Sequence, residues 1–305
     1  MTGESASVVI ACHTEDRFDS LRGAIGSAKA QDPLEVIVAV DHNPALCERL
    51  RAAEEDVAIV EHDGTPGASG ARNAGALLAR GPLLVFLDDD VRTRPGWLRE
   101  LTAPFADDNV VGTGGMTAPA WQGPRPAWFP DEFGWVIGAS YAGLPDDSGP
   151  VRNVWSENMA VRREVFEQVG GFRDGFGKVG HTSRPEDTDL CIRISASAPD
   201  THWMYVPAAV VDHEVPHERS TFAFFLKRCY WEGAGKVELS AHLGEDRDLG
   251  AERSYLLRTL PLAVLRDLRR RRFSRALAIV AGTAAAAAGA ASTVLRAAAQ
   301  RTVRR

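Results

Sequence analysis

Three short runs, Ser7-Val8-Val9-Ile10-Ala11, Val36-Ile37-Val38-Ala39-Val40 and Val57-Ala58-Ile59-Val60, are almost wholly apolar. A strand with one wet face alternates apolar and polar residues, so an uninterrupted run predicts a strand covered on both faces. A fourth run, Leu83 to Leu87, leads straight into Asp88, Asp89 and Asp90. Residues 17–30, 45–54 and 69–78 lie between the runs and read as helices. Strand and helix alternating at this interval predict a parallel sheet with right-handed crossovers over the first hundred residues.

Beyond Pro95-Gly96, the residues Trp97, Leu98 and Leu101 predict a helix start, with Trp97 in the core. From Gly112 to Trp155 the pattern turns to Gly, Pro and aromatic residues, with Trp121, Trp128, Trp135 and Trp155 among them. Aromatic faces stack on sugar rings as well as filling cores, and both readings stay open for these four. A helix over 162–169 is stopped by Gly170-Gly171, and a glycine-rich loop long enough to move follows at 175–183. Glu186, Asp187 and Asp189 then open a helix that continues through Leu190 and Ile194. The helix dipole stabilises acids there. Capping needs only one of them, and a carboxylate kept ionised at such a place can act as a general base.

The acids after Leu87 are the strongest chemical signal. Open α/β sheets bind ligands at the carboxyl ends of their strands. Alternation in extended backbone sends Asp88 and Asp90 to one side and Asp89 to the other, towards the next helix. Converging carboxylates repel unless a cation lies between them, and oxygen ligands select Mg²⁺ or Mn²⁺, so the expected cargo is a metal-bound diphosphate. A solvated turn or a helix cap is the bland alternative. No G-x-x-x-x-G-K-[ST] loop and no G-x-G-x-x-G fingerprint is present, since Gly64, Gly67 and Gly70 are spaced by threes. Arg92 stands where an aspartyl-phosphate phosphatase would usually have Thr or Val.

The 305 residues can bury a large core, and their composition is that of an ordinary globular protein. Cys12, Cys47, Cys191 and Cys229 are far apart and no signal peptide precedes Val8, which predicts reduced thiols in a cytoplasmic protein. The net charge of −6 conceals an asymmetry: twelve Arg against two acids from Glu252 onward give that tail +10, leaving −16 for the rest. Within the tail, Ala276 to Leu295 carries no charge and is flanked by arginines on both sides. Twenty residues can span a bilayer, but Ala and Gly are barely favourable in lipid. A marginal span, an interfacial helix on an anionic surface and a solvated Ala-rich helix are the readings left open. No aromatic stacking platform accompanies the arginines, so nucleic acid is not an expected partner.

SVVIACHTEDR, ARNAG, FLDDDV, ENMAVRR, VGGF, PEDTDLCIR and the His213 of AAVVDH stand in an order that resembles the family-2 inverting glycosyltransferases of the A-type fold. The resemblance covers roughly residues 5–235. PAW, PDEFGWVIG and KRCYWEGAGK look similar to a subgroup acting on lipid-linked sugars, the glucosyl-dolichyl-phosphate glucuronosyltransferase type. It implies an α/β architecture, a Rossmann-like mostly parallel sheet flanked by helices with a C-terminal helical tail. The domains would be a catalytic domain at 1–235, divided near residue 110 into nucleotide-binding and acceptor-binding halves, and a membrane-associating tail at 236–305. By the same resemblance Thr14, Glu15 and Asp41 hold the nucleoside, Arg72 approaches the diphosphate, and Asp88, with Asp89 beside it, meets the ribose. Asp90 and His213 bind Mn²⁺ or Mg²⁺, and Asp187, after Glu186, is the catalytic base. Trp128, Trp135, Trp155, Asn158 and Asp189 are candidates for the acceptor side.

The implied function is metal-dependent, inverting transfer from a nucleotide-diphosphate sugar, a UDP-sugar by expectation, to a hydroxyl of a glycan or lipid-linked sugar. Ala11, where many members have Pro, and Val40-Asp41-His42-Asn43, in place of D-D-G-S, depart from the pattern at the nucleoside contacts. Two other classes remain: a sugar-nucleotide nucleotidyltransferase, which would need a triphosphate loop that Ala11 to Arg17 lacks, and a non-catalytic nucleotide-sugar-binding scaffold. The tail is expected to bring the enzyme to the inner face of the cell membrane. Its removal is expected to release soluble, active protein.

Overall fold

The protein, described here by a computed structural model, has residues 6–179, 182–243 and 254–303 defined. The chain divides into two compact units, residues 1–118 with 145–213, and residues 119–144 with 214–305. The boundary expected after residue 235 falls inside the second of these units.

In the first unit the apolar runs are strands β1 (Ala6–Cys12), β2 (Glu35–Asp41), β3 (Ala58–His62) and β4 (Leu83–Asp88). Helices α1 (Phe18–Lys29), α2 (Pro44–Ala53) and α3 (Ala68–Leu78) connect them. β1 pairs parallel with β2 and with β4, and β2 with β3. After β4 come β5 (Val91–Thr93), α4 (Trp97–Thr102), β6 (Val110–Trp121), β7 (Gly149–Val151), β8 (Asn158–Arg162) and α5 (Arg163–Gln168). The stretch read as a loop at 175–183 contains two short antiparallel strands, β9 (Gly177–Val179) and β10 (Thr182–Arg184), so backbone pairing orders part of it; residues 180 and 181 lie outside the described ones. Helix α6 (Glu186–Ser197) and β11 (His202–Val215) follow. Nine of the described strands form one mixed sheet, in the order β3-β2-β1-β4-β8-β6-β11-β5 with β7 beside β11.

Burial on both faces explains why the runs of β1 and β4 are apolar apart from Ser7, whose buried hydroxyl donates to Glu35 at 2.7 Å and accepts from the Gly81 N–H at 2.8 Å. Val8, Ile10, Val85 and Leu87 join Leu21 and Ile25 of α1 and Leu46 of α2 in the core on one face. Val9, Leu84 and Phe86 turn the other way and join Phe166, Leu190 and Ile194. Each such side chain taken from water contributes about 1.5–3 kcal/mol. Helix α3 lies so close to β1 that a Cβ on Gly75 would run into the Val9 side chain. Gly170 and Gly171, both at positive φ, end α5 as the sequence predicts.

The second unit contains a 3₁₀ segment at Asp131–Ile137 and helices α7 (Phe222–Leu243), α8 (Leu260–Arg269) and α9 (Phe273–Val303). Its core gathers Phe129, Phe133, Phe225, Leu260 and Ile279. The packing reading holds for three of the tryptophans: Trp121 meets Phe129 at 5.3 Å, Trp128 meets Phe222 at 5.0 Å, and Trp135 packs on Phe133 and donates to the Tyr255 hydroxyl at 3.3 Å. Two buried acids are ion-paired, Glu132 with Arg266 at 3.0 Å and Asp267 with Arg266 at 3.3 Å and Arg275 at 3.6 Å. Among the described helices α9 is long and apolar enough to cross a membrane by length and composition. All four cysteines are free and buried.

Candidate active site

Strand β1 has β2 on one side and β4 on the other, so consecutive crossovers leave it in opposite directions. That reversal opens a crevice beyond the strands' carboxyl ends. Thr14 and Glu15 follow β1, Asp41 ends β2, and Asp88 ends β4 level with Ala11 of β1. Asp41 is engaged: its Oδ2 accepts the Gly67 N–H at 2.9 Å and its Oδ1 lies 2.8 Å from His42 Nδ1. Gly67, at φ 133°, turns the chain into α3. Thr14 accepts from the Asp16 N–H at 3.3 Å, and exposed Glu15 pairs with Arg49 at 3.3 Å.

The first turns of α3 carry Arg72 into the sheet, where it is 4% exposed. Its Nη2 donates to Asp88 Oδ1 at 2.6 Å and its Nη1 to Glu186 Oε1 at 3.3 Å, so one guanidinium ties the end of β4 to the start of α6. The neighbouring Asn73 holds the VGGF segment, donating to the Phe172 carbonyl at 2.8 Å and accepting from its N–H at 2.9 Å. These two residues account for the middle of ARNAG.

The three consecutive acids do not alternate as expected. β4 ends at Asp88 and the next two residues form a turn, so Asp89 and Asp90 converge instead of diverging. Arg17 Nη1 lies 2.9 Å from Asp89 Oδ1 and 2.9 Å from Asp90 Oδ2. Asp89 thus faces Arg17, and burial, reinforced by Asp90 and Asp88 and opposed by Arg17, pushes its carboxyl up to about 6. The pairing of β11 with β5 brings in His213, whose Nε2 is 3.4 Å from Asp90 Oδ1.

Glu186 and Asp187 occupy the first turn of α6. Burial raises both carboxyls, Glu186 to about 7, and Arg72 only partly offsets this. Ser156 hydrogen-bonds Asp187, whose Oδ1 is buried and accepts no hydrogen bond among the described residues. A carboxylate oxygen with a free lone pair, held at a fixed place, is what proton abstraction requires.

Two expected acceptor residues are employed in other ways. Asp189 is 1% exposed and gripped by Arg193 at 2.7 Å and Arg173 at 3.2 Å, while Arg193 also donates to the Val169 and Gly171 carbonyls. It fastens α6 to the end of α5. Asn158, also 1% exposed, spends its whole amide internally: Oδ1 accepts from Trp97 Nε1 at 2.8 Å, and Nδ2 donates to the Met116 and Ala209 carbonyls. Trp97 is in the core as expected, Trp155 is half-buried in this unit, and Trp128 and Trp135 belong to the second unit's core.

Glu157 is the residue that sequence reading missed. Burial pushes it up to about 8; His213 and a hydrogen bond with Thr117 oppose the shift, and Asp88 and Asp187 add to it. It is the sole acid between Gly149 and Arg163, which was the available signal. Asp88, Asp89, Asp90, Glu157, Glu186 and Asp187 therefore share the crevice with two guanidiniums, those of Arg17 and Arg72. Such an excess of carboxylate suits a divalent cation. Among the described residues no group of three or more His, Cys, Asp or Glu is placed to hold a metal ion by itself. Asp90 and His213, 3.4 Å apart, are the pair in which a carboxylate meets an imidazole.

The chain is 30% identical over 237 residues to the glucosyl-dolichyl phosphate glucuronosyltransferase of Haloferax volcanii, covering 75% of each chain. It is 24% identical to the pre-mycofactocin glycosyltransferase of Mycobacterium tuberculosis, covering 74% of this chain and 46% of that one. Among solved structures, a mannosyltransferase from Pyrobaculum calidifontis in complex with GDP-Man and Mn²⁺ aligns with a TM-score of 0.56 at 20% identity, over 97% of this chain and 80% of that one. GalNAc-T7 with UDP, GalNAc and Mn²⁺ aligns with a TM-score of 0.54 at 17% identity, over 82% and 53%. The chain thus spans about half the length of the mycobacterial relative and of GalNAc-T7. These likenesses establish the A-type glycosyltransferase fold. The model of the family described as glycosyl transferase family 2 matches residues 7–170, more than half of the chain, and the protein is a glycosyltransferase of that family.

Proposed function

We propose that the protein is a metal-dependent, inverting glycosyltransferase that moves a sugar from a UDP-sugar to a hydroxyl of a lipid-linked or glycan acceptor at the cytoplasmic face of a membrane. The observation that carries this reading is the unpartnered Oδ1 of Asp187, buried beside the Arg72 link between Asp88 and Glu186. Thr14, Glu15 and Asp41 bind the nucleoside, Asp88 and Asp89 the ribose side, and Arg72 the diphosphate. Asp90 and His213 hold Mn²⁺ or Mg²⁺, which supplies charge neutralisation of the departing diphosphate, on the order of several kcal/mol. Asp187 takes the acceptor hydroxyl's proton as the oxygen attacks the anomeric carbon opposite the leaving group. A single displacement of this kind inverts the anomeric centre and needs no covalent nucleophile. Glu186 keeps Arg72 in place, and Trp155 contributes an aromatic face to the acceptor.

Titration calorimetry with uridine diphosphate tests the reading. The wild-type protein should bind in Mn²⁺ and lose most of that affinity in chelator, and Asp90→Asn should lose the metal dependence while its circular dichroism is unchanged. Equal affinity with and without metal in the wild-type protein would overturn it.

A further inference from the structure

The uncharged stretch at 276–295 reads equally as a bilayer span or as a helix lying on a surface, and the packing of the second unit decides between them. Sixteen large apolar side chains are exposed in the described chain, and ten of them fall between Leu256 and Leu295. On α9 they lie along one stripe: Phe273, Leu277 and Val280 repeat at helical spacing, the exposed alanines 284, 287 and 291 continue the line, and Val294 and Leu295 close it. The outer side of α8 adds Leu262, Leu265 and Leu268, opposite its buried Leu260, Ala263 and Asp267.

The inner side of α9 is committed to the protein. A Cβ on Gly233 of α7 would collide with the Ala286 carbonyl, and one on Gly289 with the Tyr230 carbonyl, so the two helices touch backbone to backbone. Tyr230 and Ser292 hydrogen-bond at 2.7 Å. Small residues there serve helix packing, which accounts for the Ala- and Gly-rich composition without a bilayer. Helix α7 also carries Lys227, Arg228, Glu232 and Lys236. Were α9 to cross hydrocarbon with α7 against it, those charges would enter too, which is strongly unfavourable. Arg275 in the first turn of α9 is in addition fixed by Asp131 at 2.5 Å and Asp267 at 3.6 Å.

Residues 254–303 expose charge of one sign. Asp267 is the sole acid in residues 254–303, and it is fully buried and paired. Arg258 and Arg269 to Arg272 are exposed, the last four in and beside the turn between α8 and α9. An apolar stripe beside exposed arginines, with the one nearby exposed acid of the 3₁₀ segment, Asp131, already paired to Arg125 and Arg275, complements an anionic lipid surface, whereas a second copy would set arginine against arginine.

We propose that α9 does not span: it lies in the plane of an anionic membrane, with the Phe273–Leu277–Val280 stripe and the α8 leucines in the acyl boundary and the turn arginines among the head groups. This rests on the membrane reading proposed above and names how the surface is met. Sedimentation of the full chain with sucrose-loaded vesicles of phosphatidylcholine, alone or mixed with phosphatidylglycerol, tests it. The wild-type protein should bind the mixed vesicles and be released by alkaline carbonate. Leu277→Ser with Val280→Ser, both at exposed positions, should weaken binding about tenfold or more with an unchanged melting temperature. Arg270→Gln with Arg271→Gln and Arg272→Gln should erase the preference for anionic vesicles. A wild-type protein that resists carbonate, or serine substitutions that leave binding unchanged, would overturn this inference and spare the membrane reading. Failure of the wild-type protein to bind any vesicle would remove both. A soluble dimer that the serine substitutions dissociate would give the stripe to a second copy and overturn the proposal as well.

Discussion

Asp187 and Asp189 share one helical turn, and their surroundings separate their roles. Asp187 keeps an unpartnered oxygen, while Asp189 is consumed by two arginines. Asp187→Asn should therefore cost a factor of roughly 10² to 10⁴ in transfer with donor affinity little changed. Undiminished turnover in that variant would name the wrong carboxylate. A base works ionised, and burial raises the Glu186–Asp187 pair above the ordinary carboxylate range. Turnover should fall as pH is lowered, along an acid limb that lies above that of a free carboxylate. Glu186→Gln, which removes the like-charged neighbour, should move the limb down. A limb already at the ordinary value in the wild-type enzyme would contradict the burial argument. Motif order singled out Asp187, Asp90 and His213, and the fold brings His213 Nε2 to 3.4 Å from Asp90 Oδ1. Asp189 and Asn158 were misread because their partners, Arg173, Arg193, Trp97 and two backbone carbonyls, are distant along the chain.

Elements were legible wherever one physical rule decides them. The doubly covered β1, β2 and β4 follow from unbroken apolar runs and the end of α5 from Gly170-Gly171, whereas the third run, expected to be covered on both faces, forms β3 at the sheet edge, where its residues stay partly open to water. Alternation failed at Asp88 to Asp90, because it holds only while the backbone is extended and β4 ends one residue into the acids. The aromatic segment remained ambiguous because stacking on a sugar and packing against Phe129 or Phe225 make the same demand on a tryptophan. Helix α6 owes its position to an ion-pair clamp as well as to Leu190 and Ile194. Asp189→Ala, which leaves Arg193 without its buried partner, should lower unfolding stability by about 3 kcal/mol in denaturant titration. A loss under about 1 kcal/mol would mean that the apolar contacts alone hold the helix.

At the scale of the molecule, charge asymmetry was readable from composition, but the division of the chain was not. A tail recognised by its sequence proves to be structural: Leu260, Ala278 and Ile279 complete the core around Phe129, Phe133 and Phe225. Removal of residues 254–305 should therefore uncover those aromatics and give an aggregating protein, contrary to the release of soluble enzyme expected from sequence. A truncated chain that stays monomeric in size-exclusion chromatography would refute this. The four buried cysteines carry a consequence of a practical kind. Burial pushes every one of these thiols up, so access and thiolate fraction are both low. To thiol-directed alkylating reagents the folded chain is silent, and a single cysteine introduced on its surface is the one thiol that answers.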